Sequence, residues 1–458
     1  MECVNFEPNF KITEIRLALS SISVYRNLLK DEVINSLYLL LDYIGEERIE
    51  LNRVSLLYND FFFRLSKSGA DSLEEYIVDK IVFDENSFSR REKFKNQYGA
   101  GKFIEKAASN DLRNLQFVAR FDNRIIKDQF IELFGDKYKQ IIESFPDWYS
   151  DERKSCNESV EYVRSIKEMF YKSEDWRECL KPLERFHEKY GYSIFARYRA
   201  FVWEHKDGHG ILKGISNPDP IQLSDLIGYE DKRSIVIENT LQFLNGFAAN
   251  NVLLHGDRGT GKSSTVKAIL NKYYTEGLRM IELPKVYITD FPDIIRILRN
   301  KPQKFIIFID DLVFGDDEES YTALKSVLEG GLERKSQNIL IYATSNRRHL
   351  VKEYFSDRSE SQYLNNSEEI HAGDSRQEKL SLADRFGINI VFSSPDKKGY
   401  LAIVDGIADK RNLNIDREVL HREAMKWEKW YNGLSPRTAV QFVDWMEGHQ
   451  SICSLETE

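Results

Sequence analysis

The sequence has few cysteines and no long apolar run, and each absence excludes a class of protein. Its cysteines are far apart and form no Cys-x-x-Cys pair: Cys3, Cys156, Cys179 and Cys453. This spacing argues against a disulfide framework or a zinc site and is typical of free thiols in a reducing compartment. The longest apolar run, residues 37–44, is interrupted by Asp42 and is too short to cross a bilayer. The first ten residues also lack a signal-peptide pattern. We therefore expect a cytoplasmic protein with no membrane segment.

The sequence also has no excess of basic residues. The net charge is −9, and neither half of the chain is basic. This balance argues against strong sequence-independent binding of nucleic acid, although it leaves room for a local basic patch. The length of 458 residues is enough for about three domains at roughly 150 residues each.

A glycine-rich turn lies between a predicted strand and a predicted helix in residues 251–272, NVLLHGDRGTGKSSTVKAILNK. The turn matches G-x-x-x-x-G-K-[ST] in the strand–loop–helix context that this motif requires. The glycines let successive backbone N–H groups face a phosphate, and the start of the helix favours an anion. We expect the phosphate loop to consist of Gly256, Asp257, Arg258, Gly259, Thr260, Gly261, Lys262, Ser263 and Ser264. Within it, Lys262 is expected to contact the β- and γ-phosphates, and the Ser263 hydroxyl is expected to ligate Mg²⁺.

Polar residues follow two further predicted strands at their carboxyl ends. Asp310 and Asp311 end an apolar strand at 304–311, and Asn346 follows a strand at 338–344. Phosphate sites lie at the carboxyl ends of parallel strands. We therefore expect Asp310 to hold Mg²⁺ through its water shell and Asp311 to orient the attacking water. Asn346 is expected to bind the γ-phosphate and that water. A helix-capping aspartate pair and an ordinary turn asparagine are the simpler alternatives.

The order of predicted elements indicates three domains. Residues 1–210 have helical periodicity and are predicted to form a mainly α-helical domain, whose many aromatic residues are either core or a partner-binding surface. A Gly- and Pro-rich linker follows. Residues 216–394 alternate strands and helices, which predicts an α/β domain with a five-stranded parallel sheet. Residues 395–450 are predicted to form a helical domain, in which Ser435 caps a helix and places Arg437 in its first turn. The polar residues 356–379 are either a solvated loop or a sensing insertion.

The motifs GDRGTGKS, FIIFIDD, ATSN, DRFG and LSPRT occur in this order and are followed by a helical segment. The set resembles an AAA+ ATPase, in which these motifs are Walker A, Walker B, sensor 1, an arginine-finger segment and sensor 2. More narrowly, GDRGTGKSS, YATSNRRHL and EKLSLADRFG resemble an uncharacterised bacterial family of AAA+ ATP-binding proteins with a helical N-terminal region. The likeness covers about residues 216–445. The Asp-Asp ending of Walker B is similar to that of replication-initiator and helicase-loader ATPases.

The resemblance implies a P-loop NTPase core with a C-terminal helical lid, ATP and Mg²⁺ as ligands, and a homo-oligomer that binds ATP between subunits. Arg385 would then contact the γ-phosphate of the neighbouring subunit, unless it only pairs with a carboxylate such as Asp384. Arg347 and Arg348 are alternative candidates for this contact. Arg437 would contact the phosphates bound to its own subunit.

The resemblance further implies that Ile227 and Tyr229 line the adenine pocket. The leading interpretation is a Mg²⁺-dependent ATPase that assembles or remodels a macromolecular partner, with protein favoured over nucleic acid. Many AAA+ motors have Glu at the position of Asp311, so the shorter side chain predicts slow hydrolysis. The alternatives are a nucleotide-gated oligomeric scaffold with little hydrolysis, a loader acting on a DNA-bound partner, and a small-molecule P-loop kinase.

Overall fold

The computed structural model describes residues 4–5, 10–46, 48–90, 100–148, 160–313, 318–329, 336–346, 385–430 and 433–455. The chain forms two compact units, Met1–Arg197 and Tyr198–Glu458. None of the helices in the described part of the chain combines the length and apolar composition that a bilayer span requires.

The first unit is mainly helical, as its periodicity predicted. Its helices are α1 (Phe10–Ser20), α2 (Glu32–Ile44), α3 (Leu51–Lys67), α4 (Leu73–Phe83), α5 (Ala100–Ala119), α6 (Arg124–Phe134), α7 (Lys139–Glu143), α8 (Glu161–Lys172), α9 (Leu180–Tyr190) and α10 (Ile194–Arg197). A short antiparallel pair, β1 (Val4–Asn5) and β2 (Arg48–Ile49), accompanies them. The start of helix α2 is capped, since the Asp31 carboxylate accepts hydrogen bonds from the N–H groups of Val33 and Ile34.

The second unit contains a mixed sheet. Its strands are β3 (Ala200–Lys206), β4 (His209–Ile215), β5 (Val252–Gly256), β6 (Leu278–Glu282), β7 (Lys304–Ile309), β8 (Ile339–Ser345) and β9 (Ile388–Phe392). Their order is β4-β3-β6-β7-β8-β5-β9, and every neighbouring pair is parallel except the antiparallel hairpin of β3 and β4. The sheet therefore has seven strands and is mixed, whereas the sequence predicted five parallel strands.

The extra strands come from the stretch that was interpreted as helix and linker. Asp207 and Gly208 form the two-residue turn, and both have positive φ, 52° and 79°. This turn brings Lys206 opposite His209, and β3 then pairs with β6 in parallel. Because the hairpin belongs to the sheet, the second unit begins at Tyr198, before the domain boundary predicted between 210 and 216.

The helices of the second unit fall into two groups. Helices α11 (Glu230–Leu244), α12 (Lys262–Tyr273), α13 (Phe291–Leu298) and α14 (Glu318–Glu329) alternate with the strands. The C-terminal bundle comprises α15 (Lys397–Lys410), α16 (Arg417–Trp430) and α17 (Pro436–Leu455). The bundle has its own apolar core, which includes Tyr400, Val404, Leu420 and Phe442. Burial of these apolar side chains therefore stabilises the bundle through a core of its own.

Candidate phosphate and metal site

The phosphate loop follows β5 and leads directly into α12. Gly256, Gly259 and Gly261 all have positive φ, at 124°, 75° and 89°. A Cβ atom placed on Gly256 would lie 2.3 Å from the carbonyl oxygen of Phe392 in the neighbouring strand. Glycine is therefore required at Gly256 both by its φ angle and by the close approach of β9.

The Lys262 side chain reaches from the start of α12 back to the beginning of this loop. Its side chain is buried, and its Nζ donates hydrogen bonds to the carbonyl oxygens of Gly256 and Asp257 at 3.0 and 2.6 Å. The Thr260 hydroxyl donates to the same Asp257 carbonyl oxygen at 2.9 Å. Both partners of the ammonium are neutral carbonyl groups, so its positive charge is available to an anion in the loop.

The electrostatics of the loop are consistent with an anion site. Burial lowers the pKa of Lys262 because it removes water from the ammonium group, and the positive charge of Arg437 adds to this effect. Three carboxylates act in the opposite direction on this pKa: Asp257, Asp311 and Asp310. A bound phosphate would supply the compensating negative charge at short range.

Oxygen donors for a divalent cation lie at the start of α12 and the end of β7. The Ser263 hydroxyl donates to Asp310 Oδ1 at 2.6 Å, and Thr344 Oγ1 donates to the same oxygen at 2.5 Å. A hydroxyl and a carboxylate at this separation suit Mg²⁺, which takes one or two protein ligands and fills its shell with water and phosphate oxygens. No group of three or more His, Cys, Asp or Glu residues forms a metal site in the described ranges. The donor set therefore fits Mg²⁺ bound together with a phosphate.

Asp311 is held on both of its carboxylate oxygens. Asn346 Nδ2 donates to Oδ1 at 2.7 Å, and Lys285 Nζ donates to Oδ2 at 3.3 Å. Its backbone is in the left-handed region at φ 50°, and its N–H donates to Thr344 Oγ1 at 2.9 Å. The structure thus brings Asp310, Asp311 and Asn346 together, as the strand-end rule predicted.

Sequence reasoning missed two of these residues, Thr344 and Lys285. Strands β5, β8, β7 and β6 are successive neighbours in the sheet, so the segments that follow them share one edge. Thr344 lies at the end of β8, and Lys285 follows β6 by three residues. The rule that located the aspartates would have indicated Lys285 as well if β6 had been placed next to β7.

Arg437 meets the loop from the C-terminal bundle. Its backbone N–H donates to the carbonyl oxygen of Gly259 at 3.1 Å. Ser435 Oγ accepts from the Thr438 N–H at 3.1 Å, which is the predicted helix cap. A Cβ atom on Gly259 would lie 3.0 Å from Ser435 Oγ, so the first turn of α17 packs directly on the loop.

Ile227 and Tyr229 lie where the sheet meets the bundle. Ile227 packs on the bundle core, and its Cγ2 lies within 2.7 Å of where a Cβ on Gly406 would be. The Tyr229 ring packs on Phe392 with centroids 5.3 Å apart, and its hydroxyl donates to the carbonyl oxygen of Ser393 at 2.7 Å. Burial, with a contribution from the Asp257 charge, raises the pKa of Tyr229 to about 12, so its hydroxyl is protonated at neutral pH. Tyr229 therefore lies next to the strand that touches the loop, whereas Ile227 packs on the bundle.

Arg385 is the one described candidate that lies away from this cluster. It precedes β9, which runs parallel to β5, so it lies at the amino-terminal edge of the sheet. The length of β9, about 13 Å at 3.3 Å per residue, separates this edge from the loop. Arg347, Arg348, Asp384 and residues 356–379 lie outside the described residues.

Comparisons with known proteins give a family and a set of distant structures. The sequence profile of a family described as "Protein of unknown function (DUF815)" matches residues 196–450. No curated protein matches the sequence. The RuvB Holliday junction branch migration motor of Thermotoga maritima is a similar solved structure, with 16% identity over 51% of this chain and 67% of that chain at a TM-score of 0.35. A variant of the same RuvB protein matches with 17% identity over the same shares, also at a TM-score of 0.35. The family match covers more than half of the chain and begins just before β3.

Proposed function

The chain belongs to the DUF815 family of proteins of unknown function, and from the geometry of its phosphate loop we propose that it is a Mg²⁺-dependent ATPase of the AAA+ type. The observation that carries this proposal is the placement of Lys262. Its buried side chain crosses the loop, and its Nζ lies 3.0 and 2.6 Å from the carbonyl oxygens of Gly256 and Asp257. A few ångströms of side-chain movement would exchange these neutral partners for phosphate oxygens, with a gain in charge-assisted hydrogen bonding.

The loop would hold the triphosphate through its backbone and Lys262. The positive φ angles of Gly259 and Gly261 are of the kind that lets backbone N–H groups face a phosphate, and the start of α12 favours negative charge. Ile227 and Tyr229 would line the adenine pocket where the sheet meets the bundle. Arg437, in the first turn of α17, would contact the phosphates and so make the bundle sensitive to the bound nucleotide.

Ser263 and Asp310 would hold Mg²⁺, which supplies charge neutralisation for the developing negative charge on the phosphates. Thr344 fixes the Asp310 carboxylate through the hydrogen bond from its hydroxyl. Asp311 would accept a hydrogen bond from the attacking water and orient it, and Asn346 would fix Asp311 and the γ-phosphate relative to each other.

The position of Arg385 supports a role in a neighbouring subunit. Because it lies at the opposite edge of the sheet from its own loop, it cannot contact its own γ-phosphate without a rearrangement of β9. In a homo-oligomer that stacks this edge on the next loop, Arg385 would stabilise the transition state for phosphoryl transfer. Binding and hydrolysis would then drive assembly or remodelling of a macromolecular partner, and the wide spacing of the cysteines supports a cytoplasmic setting.

A nucleotide-gated switch with little hydrolysis is the second candidate. It is favoured by the contacts of Asp311, whose two oxygens are engaged by Asn346 and Lys285. Asp311 also has a side chain one methylene shorter than Glu. The two partners compete with an attacking water for the charge of this carboxylate, and the shorter side chain holds the carboxylate further from that water, so both features predict slow turnover.

The proposal is tested by calorimetric titration of the purified chain with ATP, with and without Mg²⁺. We expect binding that Mg²⁺ strengthens. Lys262→Ala should weaken binding by roughly 10- to 100-fold, because a hydrogen bond to a charged group contributes about 1.5–3 kcal/mol. Ser263→Ala should remove the strengthening by Mg²⁺ and leave Mg²⁺-free binding unchanged. Equal affinity of the wild type and Lys262→Ala would refute the assignment of the loop.

A further inference from the structure

A cationic groove lies on the C-terminal bundle between α15 and α16, outside the candidate phosphate site. It has a volume of about 360 Å³ and an apolar floor formed by Leu401 and Met425. Four cations surround this floor: Lys397, Arg422, Lys426 and Lys429. We call this feature the bundle groove.

The charges of the bundle groove are incompletely compensated. Glu423 Oε1 accepts hydrogen bonds from Lys426 at 2.9 Å and from Arg422 at 3.1 Å. One negative charge therefore balances two positive charges only in part. Among the residues that the structure describes, Lys397 and Lys429 have no ion-pair partner. In a chain whose net charge is −9, this excess of positive charge marks a local site for an anion.

The spacing of the cations favours an extended anion over a small one. Arg422, Lys426 and Lys429 follow one another on successive turns of α16, and together they span about 10 Å at 1.5 Å per residue. A free phosphate ion would contact only one or two of these side chains. A chain of phosphates can contact the whole row.

An exposed aromatic ring extends this row. Trp430 follows Lys426 by one helical turn on the same side of α16, and 77% of its surface is accessible to solvent. An indole ring this exposed loses the stabilisation of burial, but it offers a flat face for stacking. Cations along a groove and an adjacent aromatic platform are the two elements that bind single-stranded nucleic acid without sequence preference.

We propose that the bundle groove binds single-stranded nucleic acid, with phosphates along Arg422, Lys426 and Lys429 and a base stacked on Trp430. An acidic peptide would form ion pairs with these cations but would not need to stack on the indole ring of Trp430. This site is separate from the phosphate loop, so the inference does not rest on the ATPase proposal.

The test is fluorescence anisotropy of labelled dT20 and U20 with the full chain in the absence of ATP. We expect the two strands to bind, with a slope of log affinity against log salt of about −2 to −3, as three to four phosphate contacts predict. Trp430→Ala should weaken binding roughly tenfold, within the range of base–aromatic stacking. Lys426→Ala should weaken binding and reduce the slope by about 0.7. Preference for dT20 or U20 distinguishes DNA from RNA as the source of the strand.

Matched variants separate the bundle groove from the rest of the unit. Phe247 is 70% exposed, and Lys272 is exposed on α12, so Phe247→Ala and Lys272→Ala should leave binding unchanged. Lys262→Ala should bind the oligonucleotides normally, which keeps this test independent of ATP binding. Absence of binding, or equal affinity of Trp430→Ala and the wild type, would overturn the proposal. Tighter binding of a polyglutamate peptide that Trp430→Ala leaves unchanged would also overturn it and would identify an acidic-peptide site.

Discussion

At the scale of single residues, Lys285 and Asn346 determine what Asp311 can do. Asp311 is half exposed, and its two oxygens are occupied by an amide at 2.7 Å and an ammonium at 3.3 Å. Each oxygen keeps a further lone pair that can accept from a water molecule, but both partners compete with that water for the negative charge of the carboxylate. Asn346 has a short side chain and the closer contact, whereas the Lys285 side chain is long and 40% exposed, so the lysine contact is the more easily broken.

Lys285→Gln should therefore raise ATP turnover. The increase is expected to be up to about fivefold, because exposed ion pairs contribute about 0.2–1 kcal/mol. Steady-state phosphate release measures it. Lys267→Gln is the matched control, since Lys267 forms an ion pair of the same 3.3 Å length and similar exposure with Asp219. A lower turnover in Lys285→Gln would show that Lys285 holds the nucleotide instead of restraining Asp311.

The residues of the site differ in how far the sequence could predict them. Lys262, Ser263 and Asp310 were predicted because their motif spacing fixes both identity and position. Lys285 and Thr344 could not be assigned a contact, since such a contact depends on which strands are neighbours. Their positions follow only from the strand order β6-β7-β8-β5.

At the scale of elements, the close approach of β9 to the phosphate loop is the main constraint. The Asp257 N–H donates to the carbonyl oxygen of Phe392 at 2.9 Å, and the Ser394 N–H donates to Asp257 Oδ2 at 2.6 Å. These contacts leave no space for a side chain on Gly256. The conformation of the loop is thus fixed by its neighbouring strand as well as by its own glycines.

Gly256→Ala should destabilise the chain by more than about 2 kcal/mol, because it combines a strained φ with a backbone clash. Gly246→Ala isolates the strain, since Gly246 has φ +81° with no atom within 4 Å of the added methyl group. Gly246→Ala should lower the free energy of unfolding by about 1–2 kcal/mol. Urea unfolding measures both free energies. Equal losses in the two variants would show that β9 moves away without cost.

The hairpin of β3 and β4 shows where prediction of elements failed. The aromatic residues of 190–203 were interpreted as part of a helical core, and the glycines after them as a linker. Asp207-Gly208 between two seven-residue strands was the available signal, because this dipeptide adopts the positive φ angles of a hairpin turn. The parallel pairing of β3 with β6 is a contact between distant parts of the chain and has no local signal.

At the scale of the whole molecule, the proposed function and the location of Arg385 together predict that an ATP site is complete only between two subunits. Turnover per subunit should therefore rise with protein concentration. Arg385→Ala should bind ATP with wild-type affinity and lose roughly 10³-fold in turnover in the assembled state, as removal of an arginine finger predicts. Phosphate release over a concentration series measures this effect, with Arg296→Ala as an exposed control. Normal turnover in Arg385→Ala would refute its role and would direct attention to Arg347 and Arg348.

The most direct test of the proposed ATPase is single-turnover hydrolysis of Mg²⁺-ATP by the wild type and Asp311→Asn at equal, saturating protein concentration. The proposal predicts slow hydrolysis by the wild type and a loss of at least about 100-fold in Asp311→Asn, with ATP binding retained, because the amide cannot act as a base toward water. Equal hydrolysis by the two proteins would contradict the role of Asp311. Tight binding with no hydrolysis by the wild type at any concentration would contradict the ATPase itself and would support a nucleotide-gated switch.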